Sequence, residues 1–176
     1  MMFHILRATI ATIAIVIGTA GSAQTATDTM TFTMDGSEVE LLVSPSFARA
    51  QSRREISSAA DYIDEIDVIG YLLDGNAIDK QVMVRFTVWN LPNELRVGGA
   101  YFQITERGNE GGWTTLDLEE RAVVILNTYE RTDAGLLVEA IFSGYPDFWP
   151  NIYKKPQERG PFKTASGQFS IFFPAE

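Results

Sequence analysis

The chain has 176 residues, with 14 Lys and Arg against 23 Asp and Glu, one His and no Cys, giving a formal net charge of −9. Such acidity disfavours nucleic acid and anionic lipid as partners. The missing thiols exclude disulfides, Cys–His nucleophiles and cysteine-built zinc sites.

The first stretch reads as an address. "MMFHILR" carries Arg7 and no acid, the run from Ala8 to Ala20 is apolar and uncharged, and Gly21 and Ala23 are small residues just before Gln24. That is the order of a secretory signal peptide over residues 1–23, with cleavage after Ala23. The apolar run is shorter than the ~20 residues that span a bilayer, so an anchor is disfavoured. No Cys stands at the cleavage site to carry a lipid. The expected destination is periplasmic or secreted, by Gram-negative-type export, with no membrane insertion after cleavage. His4 leaves with the leader, which also excludes Ser-His-Asp chemistry. Residues 24–176 are expected to form a single domain, large enough to stand on its core without a covalent staple.

From there the dominant period is two. "TMTFTM" (Thr29–Met34) and "SEVELLV" (Ser37–Val43) alternate and are joined by Asp35-Gly36, a pair suited to a type I′ hairpin turn. The next segment breaks the pattern. Ser52 and Glu55 form an S-x-x-E capping box, and Ile56, Ala59, Ala60, Ile63 and Ile66 recur at helical spacing. One helix is therefore expected near Arg53–Ile66, lying over a sheet edge or an open end. Strands are then expected at Asp67–Leu73, Val82–Trp89, Ala100–Thr105, Trp113–Leu118 (the weakest pattern), Arg121–Tyr129, Leu136–Phe142 and Gly167–Phe173, separated by Gly, Pro and Asn turn signals. Tyr145–Thr164 has no period and holds Pro146, Pro150, Pro156 and Pro161. Eight or nine strands with one short helix predict an all-β, antiparallel β-sandwich. An outer-membrane barrel is the rival, disfavoured because the alternating runs are mostly shorter than the ~9–11 residues a membrane strand needs.

Four short motifs carry a resemblance. "FTMDGSEVEL", "GGAYFQI", "GLLVEAIFSG" and "ASGQFSIFF" resemble segments of a broad group of uncharacterised small β-sandwich proteins, secreted by or lipid-anchored on bacteria. The chain differs from the anchored members in lacking the signal Cys. The resemblance implies an immunoglobulin-like or similar sandwich and no particular activity.

Several clusters hold side chains capable of chemistry. Asp61, Asp64, Glu65, Asp67, Asp74 and Asp79 offer carboxylates to a hard cation, but the D-x-[DN]-x-[DN]-G spacing of a calcium loop is absent. A solvated helix face is favoured, and no metal is expected. Arg49 and Ser52–Arg54 form a cationic patch able to grip a carboxylate or phosphate; weak surface ion pairs are favoured. The segment "SGYPDFWPN" carries Tyr145, Phe148 and Trp149, with Tyr153 just beyond. These rings either form a ligand platform on a loop fixed by prolines or plug the end of a core, and Trp149 as a plug is favoured.

The expected function is that of a non-catalytic, monomeric binding or interaction module, with a protein or glycan partner and no cofactor. Its best site on these grounds is Tyr145, Phe148, Trp149 and Tyr153, and no catalytic residue is nominated. The alternative is a carboxylate-based hydrolase acting on extracellular glycans, which needs two acids ~5–9 Å apart.

Overall fold

The computed structural model of the protein describes residues 28–43, 49–53, 62–116 and 122–175. The expected leader lies outside them. Alternation of apolar and polar residues builds eleven antiparallel strands: β1 (Thr29–Met34), β2 (Ser37–Val43), β3 (Arg49–Arg53), β4 (Tyr62–Asp74), β5 (Ala77–Leu91), β6 (Glu94–Glu106), β7 (Gly112–Thr114), β8 (Ala122–Thr132), β9 (Gly135–Gly144), β10 (Asp147–Trp149) and β11 (Ala165–Pro174). They form one open sheet in the order β10-β7-β6-β5-β4-β2-β1-β11-β9-β8, with β3 also on β4. Among the described residues there is no helix.

The first hairpin follows from its turn. Asp35 and Gly36 have φ of 52° and 79°, and Met34 pairs with Ser37 across them. Both central residues are left-handed, as a type I′ turn requires. A Cβ on Gly36 would meet nothing within 4 Å, so any penalty there is backbone strain alone. Gly36→Val is expected to lose roughly 1 kcal/mol or more, because a β-branched residue fits this region worst. An unchanged urea midpoint would contradict the turn assignment.

The helix expected over Arg53–Ile66 is not formed at either described end. Arg53 closes β3, and Tyr62–Ile66 opens β4. Residues 54–61, which include Glu55, Ile56, Ala59 and Ala60, lie outside the described residues. The spacing misled because this part of β4 is buried on both faces: Ile66 and Val68 point to the main core, while Ile63 is buried on the other side. A strand with two dry faces loses its period of two.

The strands are also more numerous and longer than expected. β3 and β10 add to the expected set, and the weak Trp113–Leu118 run meets β7 (Gly112–Thr114) at Trp113 and Thr114, with residues 117–118 outside the described ones. β4, β5 and β6 have 13, 15 and 13 residues. The length objection to a membrane barrel therefore falls, but polarity replaces it. The inner face is apolar, and the outer positions of β1, β11 and β9 mix Thr, Ser, Gln and Glu139 with Leu137 and Ile141, more polar than the apolar band of a lipid-facing wall around a polar lumen.

Two features position everything else. First, among the described residues β2 meets β4 through two residue pairs, Leu42 with Tyr71 and Val43 with Gly70. Longer ladders build the halves on either side of this seam. Second, the sheet doubles back so that its inner face closes on itself. Phe86 of β5 lies 6.1 Å from Phe169 of β11, and Phe102 of β6 lies 5.6 Å from Phe142 of β9. Phe142 also stacks on Phe32 of β1 at 6.3 Å. Its register partner is Gly167. A Cβ on Gly167 would run into the Phe142 ring and the Thr31 carbonyl, so this glycine makes room for the aromatic centre of the core.

Candidate binding face

Register builds the candidate site. On β1, Met30 and Phe32 turn inward, so Thr29, Thr31 and Thr33 turn outward. The same alternation sends out Glu38, Glu40 and Leu42 from β2, Ser166, Gln168 and Ser170 from β11, and Glu139, Ile141 and Ser143 from β9. From β8 it sends out Val123, Ile125 and Asn127. Pairing aligns these residues in rows across the strands. One row is Glu38, Thr33, Ser166, Ser143 and Val123. The next is Glu40, Thr31, Gln168, Ile141 and Ile125, and a third is Leu42, Thr29, Ser170, Glu139 and Thr128.

The face is therefore graded. Its β2 side is acidic, its middle is hydroxyl and amide, and its β8 side is aliphatic. Val123, Ile125 and Ile141 are 50%, 52% and 40% exposed. They line a depression of about 350 Å³ together with Thr31, Thr33 and Glu38. A second depression of about 210 Å³ shares Thr31 and Gln168 with the first and is bordered by Glu139 and Asn127. Together they make one shallow trough crossing the half-sheet.

Glu139 stands out in this trough. Thr128 Oγ1 donates to Glu139 Oε2, and Ser170 Oγ donates to Oε1 at 3.2 Å. Both donors are neutral hydroxyls. Among the described residues no cation pairs with Glu139, Glu38 or Glu40. The carboxylate is held in place while its charge stays uncompensated.

The ring cluster expected to bind is split by its strand. β10 pairs with β7, placing Phe148 opposite Trp113 and Trp149 opposite Gly112. Phe148 lies 5.3 Å from Trp113, and Lys163 Nζ lies 4.6 Å from the centre of the Trp113 ring. Trp149 points to the opposite side and is 5% exposed. Tyr145 is exposed, and Tyr153 stands 92% exposed in the turn that follows. The segment is tied down by its backbone: Phe148 N–H donates to Pro161 O, Lys163 N–H to Pro146 O and Ile152 N–H to Glu110 O. The structure thus joins Phe148 to Trp113 and Lys163 and leaves Trp149 on the other side of the strand.

The acidic run is likewise divided. Asp64 and Glu65, placed on one helical face by sequence spacing, are neighbours in β4 and point to opposite faces. Asp64 is 1% exposed at the end of the core, where Tyr129 Oη–H and Arg131 Nη2 (2.7 Å) both donate to its Oδ2. Asp67 faces outward and accepts two hydrogen bonds from Arg85, with Arg49 3.7 Å away. Donating to Asp67 holds the Arg85 guanidinium above its usual range, against partial desolvation. Arg49 is thus in a surface ion pair, the favoured reading of the cationic patch; Arg54 and Asp61 lie outside the described residues. Among the described residues no group of three acidic or metal-ligating side chains converges on a cation.

Sequence reasoning passed over the Thr/Ser/Glu face because alternating hydroxyls are what any wetted strand shows. The one available signal was the aliphatic pair Val123 and Ile125 on a face that should be polar. No protein-family model, curated protein or solved structure matches the chain.

Proposed function

We propose that the chain is an exported β-sandwich module, immunoglobulin-like or similar, that binds a protein or glycan partner and performs no catalysis. The two-pair seam and the facing rings across the core support the sandwich reading. The leader pattern at Met1–Ala23 supports export. The observation that carries the binding reading is the trough: three exposed aliphatic side chains gathered in one depression and rimmed by polar groups. The Tyr145–Tyr153 loop is the second place for a ligand, with Tyr145 and Tyr153 as its accessible rings. The trough is favoured because Trp149, the largest ring of the loop, is buried. The glycan-hydrolase alternative gains no support, since Glu38 and Glu139 stand three inter-strand spacings apart, about 14 Å at ~4.8 Å each, beyond the ~5–9 Å that two catalytic acids need.

Methyl-labelled protein titrated with short peptides and neutral oligosaccharides tests this reading. Shifts clustered at Val123, Ile125 and Ile141 are expected. Shifts confined to the neighbourhood of Ile152 would move the site to the loop. No shift with any ligand would reject the binding reading.

A further inference from the structure

We infer that the trough takes an extended basic peptide, in the pattern cation–x–aliphatic–x–aliphatic, with the cation on Glu139. This rests on the binding reading above and adds the chemistry of the ligand.

The argument starts from spacing. Along a strand, residues two apart point the same way and stand about 7 Å apart. Glu139 and Ile141 have that relation on β9. Register then places Ile125 beside Ile141, and Val123 one row further on. A chain lying extended over β9 and β8 repeats the same ~7 Å period on its own side chains. Its first inward side chain meets Glu139, its third meets Ile141 and Ile125, and its fifth meets Val123. A peptide is the ligand whose repeat matches this face.

Charge selects among peptides. The outward positions of β2, β1, β11, β9 and β8 include Glu38, Glu40 and Glu139 and no Lys or Arg. An acidic segment is repelled there, while a Lys or Arg finds a carboxylate already oriented by Thr128 and Ser170. The hydroxyls and amides of Thr29, Thr31, Asn127 and Gln168 border the same depression and can hydrogen-bond the peptide backbone. A sugar is the poorer fit: among the described residues the rings that border the trough, Phe142 and Phe169, are buried and offer no open face on which a pyranose could stack.

The test uses blocked pentapeptides and the full chain. Acetyl-Lys-Thr-Ile-Thr-Val-amide is compared with the Glu-first and Gln-first peptides and with a neutral oligosaccharide, by methyl shifts and calorimetry. The Lys-first peptide is expected to bind in the trough at least about fivefold more tightly than the Gln-first one, with the Glu-first peptide weakest. Glu139→Gln keeps the size of the side chain, with one hydroxyl still donating to its carbonyl oxygen and the other turning to accept from its N–H. It is expected to remove the Lys-over-Gln preference. Raising the salt should narrow the preference in the parent protein. Equal binding of all peptides at Val123 and Ile125 would overturn the cation assignment and leave the binding reading intact. Tighter binding of the oligosaccharide would do the same in favour of a glycan. Absence of every ligand from the trough would overturn both.

Discussion

Phe142→Ala is expected to destabilise the domain by about 3–5 kcal/mol, the range for deleting a large buried ring. Phe142 is buried at the meeting point of the two halves. Its ring lies within 6.4 Å of Phe32, Phe102 and Phe169, counted between centroids. The cavity cannot close easily, because Gly167 opposite has no side chain to move into it and the flanking rings belong to separate strands. With total stabilities of about 5–15 kcal/mol for ordinary domains, such a loss leaves little margin at 37 °C. Urea denaturation reads the difference directly. A loss below about 1 kcal/mol would mean that the halves are not held together through this ring.

Trp149→Ala is expected to cost a similar ~3–5 kcal/mol, with Tyr145→Ala under half of that. The contrast comes from β10, which buries Trp149 and leaves Tyr145 exposed just before it. Trp89 and Trp113 remain to report unfolding by emission. Equal effects of the two substitutions, or an unchanged midpoint for Trp149→Ala, would show that the segment is not packed through its tryptophan. The loop would then regain its claim as a ligand platform.

These residues also show which parts of the fold could be read from sequence. The Asp35-Gly36 hairpin was readable because its turn needs a special backbone and its strands have one wet face each. The β5 run from Val82 to Trp89 was readable for the second reason. The start of β4 was not. Ile63 is buried on one face, and Asp64 faces the core on the other, accepting from Tyr129 and Arg131, residues 65 or more positions away. An acid at an inward position broke the alternation, and only tertiary partners explain it. β10 escaped notice for a related reason: three residues flanked by prolines carry no period. The binding face was hidden more deeply. Each of its strands looks ordinary alone, and the graded surface exists only once β1 is placed between β2 and β11, and β9 between β11 and β8.

That placement of β1 reaches beyond the site. Its partners are β2, next to it in the chain, and β11, about 140 residues away. The β4–β5–β6 meander can form from local contacts as soon as it is made. The other half cannot, because β11 supplies its middle strand and four core side chains, Ala165, Phe169, Ile171 and Phe173. Non-local pairing of this kind slows folding, since the closure entropy is paid before the contacts form. Until its last strand is synthesised, the nascent chain keeps the β1–β2 hairpin and the β8–β9 hairpin as separate, open-edged pieces. Deleting β11 therefore removes the clasp between β1 and β9, and the consequence is a chain prone to edge-to-edge association rather than a smaller domain.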